Sequence, residues 1–245
     1  MKTDSLKQIQ EAIRILSFTA DNLVADNILD TKEDIKNALE CINKALYMET
    51  PSTSTKFDLY KLVANDQIRP VMCGVFHDEG YKVASDSHIL AAVKEDYPEE
   101  LEHHILDKAG ENIDGKYPKW QQIFPTDKGV PVKIETAKVY ELMKQVNADK
   151  KTGANRKGYV KVQETFFKVE IMKKLCTFMD AYGTNELWLA KEQADRRAAG
   201  VYAPDGSKAL IMPTVFATSY GGYNEPTLSE VFEQNKDKYL WCEVA

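Results

Sequence analysis

Between Val71 and Val93 the chain carries three short β-type runs separated by tight polar turns, and this stretch restricts its fold more than any other. Residues 71–76 and 81–84 are rich in Val, Phe and Tyr. His77-Asp78-Glu79-Gly80 joins them as a hairpin turn, with glycine available for positive φ. Ser85-Asp86-Ser87-His88 follows, and the pattern turns apolar again over residues 89–93. Runs joined this tightly pair antiparallel. The rest of the chain must then supply the layer that covers such a sheet.

Amphipathic helices are the candidates for that layer. Residues 5–24 place Leu6, Ile9, Ile13, Leu16, Ala20 and Leu23 at steps of three and four. A second stripe (Ile35, Leu39, Ile42, Leu46) begins after Thr31, a capping residue with Asp34 three positions on. The two predict a helical hairpin over residues 1–50, closed by a Ser/Thr/Pro linker at 48–56. Residues 57–65 read as a short helix with Leu59, Leu62 and Val63 inward. Residues 105–114 read as a hairpin turning at Ala109-Gly110, and 115–125, with prolines and aromatics, as a packed crossover. From Val132 a helix carries Ile134, Val139, Leu142, Met143 and Val146. A basic loop over 149–158 and a strand over 159–162 come next. A helix over 169–182 sets Ile171, Leu175, Phe178 and Tyr182 on one side. Strands are expected over 186–190, 198–203 and 209–215, the last two linked by Pro204-Asp205-Gly206. Residues 226–241 read as a capped helix followed by an aromatic pair, packed across the sheet or over a groove. Helix then strands, twice over, is an α+β pattern of two helix-plus-antiparallel-strand halves, not the strict alternation of a parallel nucleotide-binding sheet.

Composition excludes several classes. With 245 residues, 43% hydrophobic and 29% charged, the chain has ample material for a core. No apolar run approaches the roughly 20 residues that span a bilayer, and no export signal is seen, so a cytoplasmic protein with no membrane partner is expected. Cys41, Cys73, Cys176 and Cys242 lie far apart and read as reduced thiols. No phosphate loop, dinucleotide fingerprint, zinc-protease helix or nucleophile elbow occurs. Of the four histidines, His77 and His88 read as turn residues in solvent, and the adjacent His103 and His104 would point in different directions in an acidic, polar segment. His77 with Asp78 and His88 with Asp86 are conceivable ligands but too few for a metal site. A Ser–His–Asp arrangement within 85–88 is disfavoured because triad partners come from separate elements. No enzyme, no metal and no cofactor are expected. Phe76, Phe178 and Trp188 read as core, while Trp120, Tyr220 and Tyr223 stay open as stacking platforms. The net charge of −6 opposes a nucleic-acid reading for the whole molecule. Yet 14 basic and 9 acidic residues between Lys133 and Arg197 leave +5 there and −11 elsewhere. Such asymmetry suits either a polyanion on one face or a solvated lysine surface.

Four segments together carry a family resemblance. Ala84-Ser85-Asp86-Ser87-His88-Ile89-Leu90-Ala91 stands where the middle domain of the bacterial sliding clamp, the β subunit of the replicative DNA polymerase, has A-T-D-G-H-R-L-A after a strand pair. GKYPKWQQIFP (115–125) is similar to the clamp's junction between its last two domains. FKVEIMKKLCTFM (167–179) resembles its final-domain helix after a short β segment, and ALIMPTVF (209–216) its closing Met-Pro strand. The order is that of the clamp. The departures are Ile89 in place of arginine, Ser87 in place of glycine, a short stretch before the junction, and nothing that matches a first domain. The resemblance implies a clamp-like domain over 56–218, preceded by the 1–50 hairpin and followed by a 219–245 extension. It implies non-catalytic binding of duplex DNA by a basic helical face bearing Lys133, Lys138, Lys144, Arg156, Lys157, Lys168, Lys173 and Lys174. It also implies a groove for clamp-binding peptides of polymerase or repair proteins, walled by Ser85, Ser87, His88, Leu90, Pro125, Leu210, Met212 and Pro213. One chain supplies too few domains for a ring, so encirclement implies a homo-oligomer. The rival reading is an adaptor or decoy that keeps the groove without binding DNA.

Overall fold

The computed structural model describes residues 56–65, 68–125, 127–190, 198–214 and 238–244, with Arg14, Ile35, Ala38 and Asn235 as single residues. The expected hairpin over 1–50 and the linker at 48–56 lie almost wholly outside that set; Arg14, Ile35 and Ala38 are helical. The helix expected from residue 226, and Tyr220 and Tyr223, also lie outside it.

The meander forms as β1 (Val75–Asp78), β2 (Tyr81–Ser85) and β3 (Ile89–Lys94), all antiparallel. Its first turn is tighter than the sequence suggested. Only Glu79 and Gly80 form it, both with positive φ (51° and 74°), and Asp78 pairs with Tyr81 across its base. A two-residue turn of this kind matches the strand twist, so pairing runs to the end. His77 and Asp78 are therefore strand residues, 1% and 7% exposed, and not the solvent-exposed turn residues expected. The short helix expected over 57–65 is a single 3-10 turn at Leu59–Lys61. It buries Leu59 and Leu62 and leaves Val63 half-buried.

After β4 (Ile105–Leu106), which pairs with β1, Asp107 accepts the N–H groups of Ala109 and Glu111 at 2.8 Å each and closes the next turn. The crossover ends in a 3-10 turn at Trp120–Ile123. Residues 130–133 are a strand, β5 (Val130–Lys133), and not the start of a helix. This edge position tolerates Pro131, and its largely exposed side chains give no alternating signal. Then come α1 (Thr136–Thr152), β6 (Lys157–Val162), β7 (Thr165–Lys168), α2 (Val169–Tyr182), β8 (Glu186–Leu189), β9 (Ala199–Tyr202) and β10 (Lys208–Ile211). Both helices end on a left-handed glycine, Gly153 and Gly183. Residues 239–243 are a strand, β11 (Tyr239–Glu243), where an aromatic pair after a helix was expected.

Eight strands form one antiparallel sheet in the order β4-β1-β2-β3-β10-β9-β8-β5, and β11-β6-β7 form a second. In the smaller sheet β11 runs parallel to β6. The helices pack on each other and against both sheets. One core unites Val139, Leu142 and Val146 of α1 with Met172, Leu175, Phe178 and Met179 of α2. Ile89, Val201 and Ile211 of the large sheet and Val160 and Phe167 of the small one complete it. Each such fully buried side chain contributes about 1.5–3 kcal/mol by leaving water. On the opposite face of the large sheet, Val83, Leu90, Ala92, Ile105 and Leu210 are covered by Tyr117 and Trp120 of the crossover. Between residues 56 and 135 the described residues hold strands and 3-10 turns, and α1 and α2 follow.

Candidate nucleic-acid and peptide interface

Ser85 to His88 make a compact turn because their short polar side chains bond their own backbone. Asp86 Oδ1 accepts the N–H groups of His88 at 2.9 Å and Ile89 at 3.0 Å. Ser85 Oγ donates to the Ile89 carbonyl at 2.9 Å and accepts the Ser87 N–H at 3.1 Å. Ser87 adopts φ 74°, the left-handed conformation that glycine takes readily. Two cations from distant segments fix the turn: Arg69 donates to Ser87 Oγ, and Lys174 of α2 donates to Asp86 Oδ2 at 2.9 Å. Burial alone would raise the Asp86 pKa. The bonds from Lys174, His88 and Ile89 outweigh it and hold the carboxyl below its usual 3.8.

The turn meets the Met-Pro strand. Ile89 and Leu90 pair with Ile211 and Leu210 across the β3–β10 ladder, and Met212 N–H donates to the His88 carbonyl at 2.8 Å. Of the expected groove residues, Ser87, His88 and Met212 are exposed, and Pro125 and Pro213 are half-buried. Ser85 is occupied inside the turn. Leu90 and Leu210 are 3% and 2% exposed, packed into the cluster beneath Tyr117 and Trp120. His88 lines a cavity of about 480 Å³ with Asp86, Lys157, Tyr159, Lys168 and Lys174. It thus sits with the basic residues at the start of α2.

The eight candidate cations divide in two. Lys138, Lys144, Arg156 and Lys174 pair with Glu135, Glu141, Asp149 and Asp86. Arg156 grips Asp149 with two N–H bonds at 2.6 and 3.0 Å, which holds that carboxyl below its ordinary pKa. Lys133, Lys157, Lys168 and Lys173 are exposed and have no acidic partner among the described residues. Lys173 lines a second cavity with Phe57, Lys61, Met143 and Lys174. The two cavities share Glu170 and Lys174. Lys61, Lys157, Lys168, Lys173 and Lys174 therefore gather around the first half of α2. Lys61 and Arg69 were not singled out from sequence, because neither sits in a motif; only the fold brings them there. Trp120 is core, 1% exposed. His77 is held neutral, its pKa lowered to about 4 chiefly by burial.

The turn makes a specific expectation about acid stability. Asp86→Asn keeps an oxygen for the two backbone bonds and loses the charge facing Lys174, for an expected cost of about 1 kcal/mol at neutral pH. Asp86→Ala loses the backbone bonds as well, at about 1–2 kcal/mol more. Because the folded carboxyl titrates below its usual 3.8, this stabilisation is complete above that pH and is lost as pH falls through the folded-state value. Chemical denaturation as a function of pH measures it: the gap between wild type and Asp86→Asn should close below pH 4, and a constant gap would exclude this account.

No helix among the described residues is long and apolar enough to cross a membrane. No family model matches the chain, and no curated protein does. Solved structures do match. The C. crescentus beta sliding clamp is 14% identical with a TM-score of 0.49, over 64% of this chain and 62% of that one. The DNA polymerase sliding clamp of Bacillus subtilis is 14% identical with a TM-score of 0.47, over 65% and 60%. The DNA polymerase III beta subunit of Thermotoga maritima is 13% identical with a TM-score of 0.48, over 71% and 64%. The chain thus spans less than two thirds of the length of each of these clamps. These three solved structures are bacterial sliding clamps, the family that four segments of this chain resemble in order, and the likeness is a divergent one, at low identity and over part of each chain.

Proposed function

We propose that the protein is a non-catalytic, clamp-like module that contacts duplex DNA through the lysines around α2. The observation that carries this reading is the gathering of Lys157, Lys168 and Lys173, all without acidic partners among the described residues, on the side where α1 and α2 lie together. Ammonium groups spread over an exposed surface reach phosphates without reading bases, so affinity is low and sequence-independent.

A fluorescent duplex titrated at several salt concentrations tests it. If Lys133, Lys157, Lys168 and Lys173 all engage phosphates, log K falls against log salt with a slope of about −3 to −4. Reversing Lys157, Lys168 and Lys173 together to glutamate is expected to abolish binding. Absence of binding at low salt, or affinity indifferent to salt, would remove the proposal.

A second reading starts from Met212, 38% exposed where β10 leaves the His88 turn. Here the rim of Met212, Pro213, Pro125 and Ser87 docks a linear peptide, and the protein is an adaptor. A clamp-binding peptide added in the same titrations distinguishes the two. On the adaptor reading Met212→Asp loses the peptide, whereas on the DNA reading that variant leaves duplex affinity unchanged.

A further inference from the structure

A cavity of about 750 Å³ opens at the end of β1, on the side of the molecule covered by the crossover. Phe76, Tyr117 and Trp120 form part of its wall, and Asp78 and His103 lie on it. Asp78, Glu102 and His103 bring one ligand atom each to within 4.8 Å of the others. His103 Nδ1 stands 3.1 Å from Asp78 Oδ1 and 3.8 Å from Glu102 Oε1. Around a zinc ion with bonds of about 2.0–2.1 Å, tetrahedral ligand atoms are about 3.3 Å apart, so small side-chain adjustments close this set on an ion.

The carboxylates are already oriented by other groups. The second oxygen of Asp78 accepts N–H bonds from Trp120 Nε1 and Gln121 Nε2, both at 2.7 Å. Glu102 accepts from the Glu79 N–H at 2.9 Å and the Tyr97 hydroxyl at 2.5 Å. Outer hydrogen bonds of this kind fix ligands in metal sites; here they leave Asp78 Oδ1 to the ion, while each Glu102 oxygen accepts one bond and keeps a second lone pair. A separate observation points to an occupant. Tyr117, 6% exposed, lines the same cavity, and its hydroxyl is buried with no hydrogen-bond partner among the described residues. Its ring stacks on Phe76 at 4.7 Å, and Phe76 stacks on His103 at 6.4 Å. Buried hydroxyls are nearly always bonded, so this one is an unmet polar group in the wall beside the three ligands.

We propose that Asp78, Glu102 and His103 bind a divalent transition ion of the zinc class, with its remaining position open to the cavity. One imidazole and two carboxylates suit such an ion better than magnesium or calcium, which take oxygen alone. The proposal does not rest on the clamp-like reading.

The full chain, stripped of metal with a chelator, is titrated with Co2+ and then Zn2+. One equivalent of Co2+ should bring up visible d–d absorption that Zn2+ displaces, and calorimetry should return a single Zn2+ site with these residues. His103 has φ 64°, so His103→Asn is the variant of choice, because asparagine tolerates that backbone. It and Glu102→Gln should each weaken Zn2+ at least tenfold, and bound Zn2+ should raise the melting temperature of the wild type but not of either variant. His104→Ala, next door and outside the set, should bind like the wild type. No site in the wild type, equal affinity in His103→Asn and Glu102→Gln, or equal loss in His104→Ala overturns the proposal. If His103→Asn fails to fold by circular dichroism, Glu102→Gln decides.

Discussion

Replacing Trp120 by alanine is expected to remove about 3–5 kcal/mol of stability, enough to unfold much of the protein at moderate temperature. The indole is 1% exposed and packs on Tyr81 at 5.2 Å and Phe124 at 6.1 Å. The ammonium of Lys208 lies 4.9 Å from the ring centre. Its removal uncovers the face that carries Leu90 and Leu210 and takes one of two donors from the buried Asp78 carboxylate. Trp120→Phe separates these effects in part, since a six-membered ring stays while the N–H and the five-membered part of the indole are lost. That variant should cost about 1–3 kcal/mol. Urea denaturation measures both, with the slope of free energy on denaturant unchanged. A small cost for alanine would mean that the crossover does not hold the sheet face closed.

The second large effect is expected at Gly129. With φ +80°, a Cβ there would stand 1.9 Å from the carbonyl oxygen of Leu189 and 2.5 Å from its carbon. Both are backbone atoms of the strand that β5 pairs with, so relief requires β5 to leave β8. Gly129→Ala combines the left-handed backbone cost of about 1–2 kcal/mol with this steric one, and the loss should exceed 2 kcal/mol, roughly the backbone term alone. Gly153→Ala is the matched control. Its φ of +82° is nearly the same, but nothing lies within 4 Å of the new methyl group, so only the backbone cost of about 1–2 kcal/mol remains. Equal losses at the two positions would show that the close approach to Leu189 is not what Gly129 provides.

These residues also show which parts of the fold were legible in sequence. The α2 helix was read at its true bounds, because its apolar positions recur with helical period and Gly183 follows at once. The second and third strands of the meander and the turn before Ser207 were read for similar local reasons, whereas the first, expected over 71–76, runs over Val75–Asp78 after a 3-10 turn at Pro70–Cys73. The signal failed where local pattern and tertiary environment part company. β5 is a short edge strand, largely exposed and interrupted by proline, and looks like the approach to a helix. His77 resembles part of a polar turn because Asp78, Glu79 and Gly80 follow it, yet the backbone needs only the last two of those to reverse. In the histidine turn, the bonds made by Asp86 and Ser85 are local and follow from residue type. Arg69 and Lys174 come from 18 and 88 residues away and do not. Charge counts behave likewise. The +5 between Lys133 and Arg197 is visible in sequence, but the neutralisation of Arg156 by Asp149 needs a helix end folded back on its own loop.

The parallel strand β11 has a consequence for how the molecule is made. Tyr239 pairs with Lys157, 82 residues earlier, and Ile211 pairs with Ile89, 122 residues earlier. Pairings this remote carry a large loop-closure entropy and set slow folding. During synthesis β3 emerges from the ribosome long before β10 exists to cover its edge, and β6 waits likewise for β11. In that interval the nascent chain presents two open strand edges to its neighbours, so its yield in the cell depends on how long those edges stay unmatched.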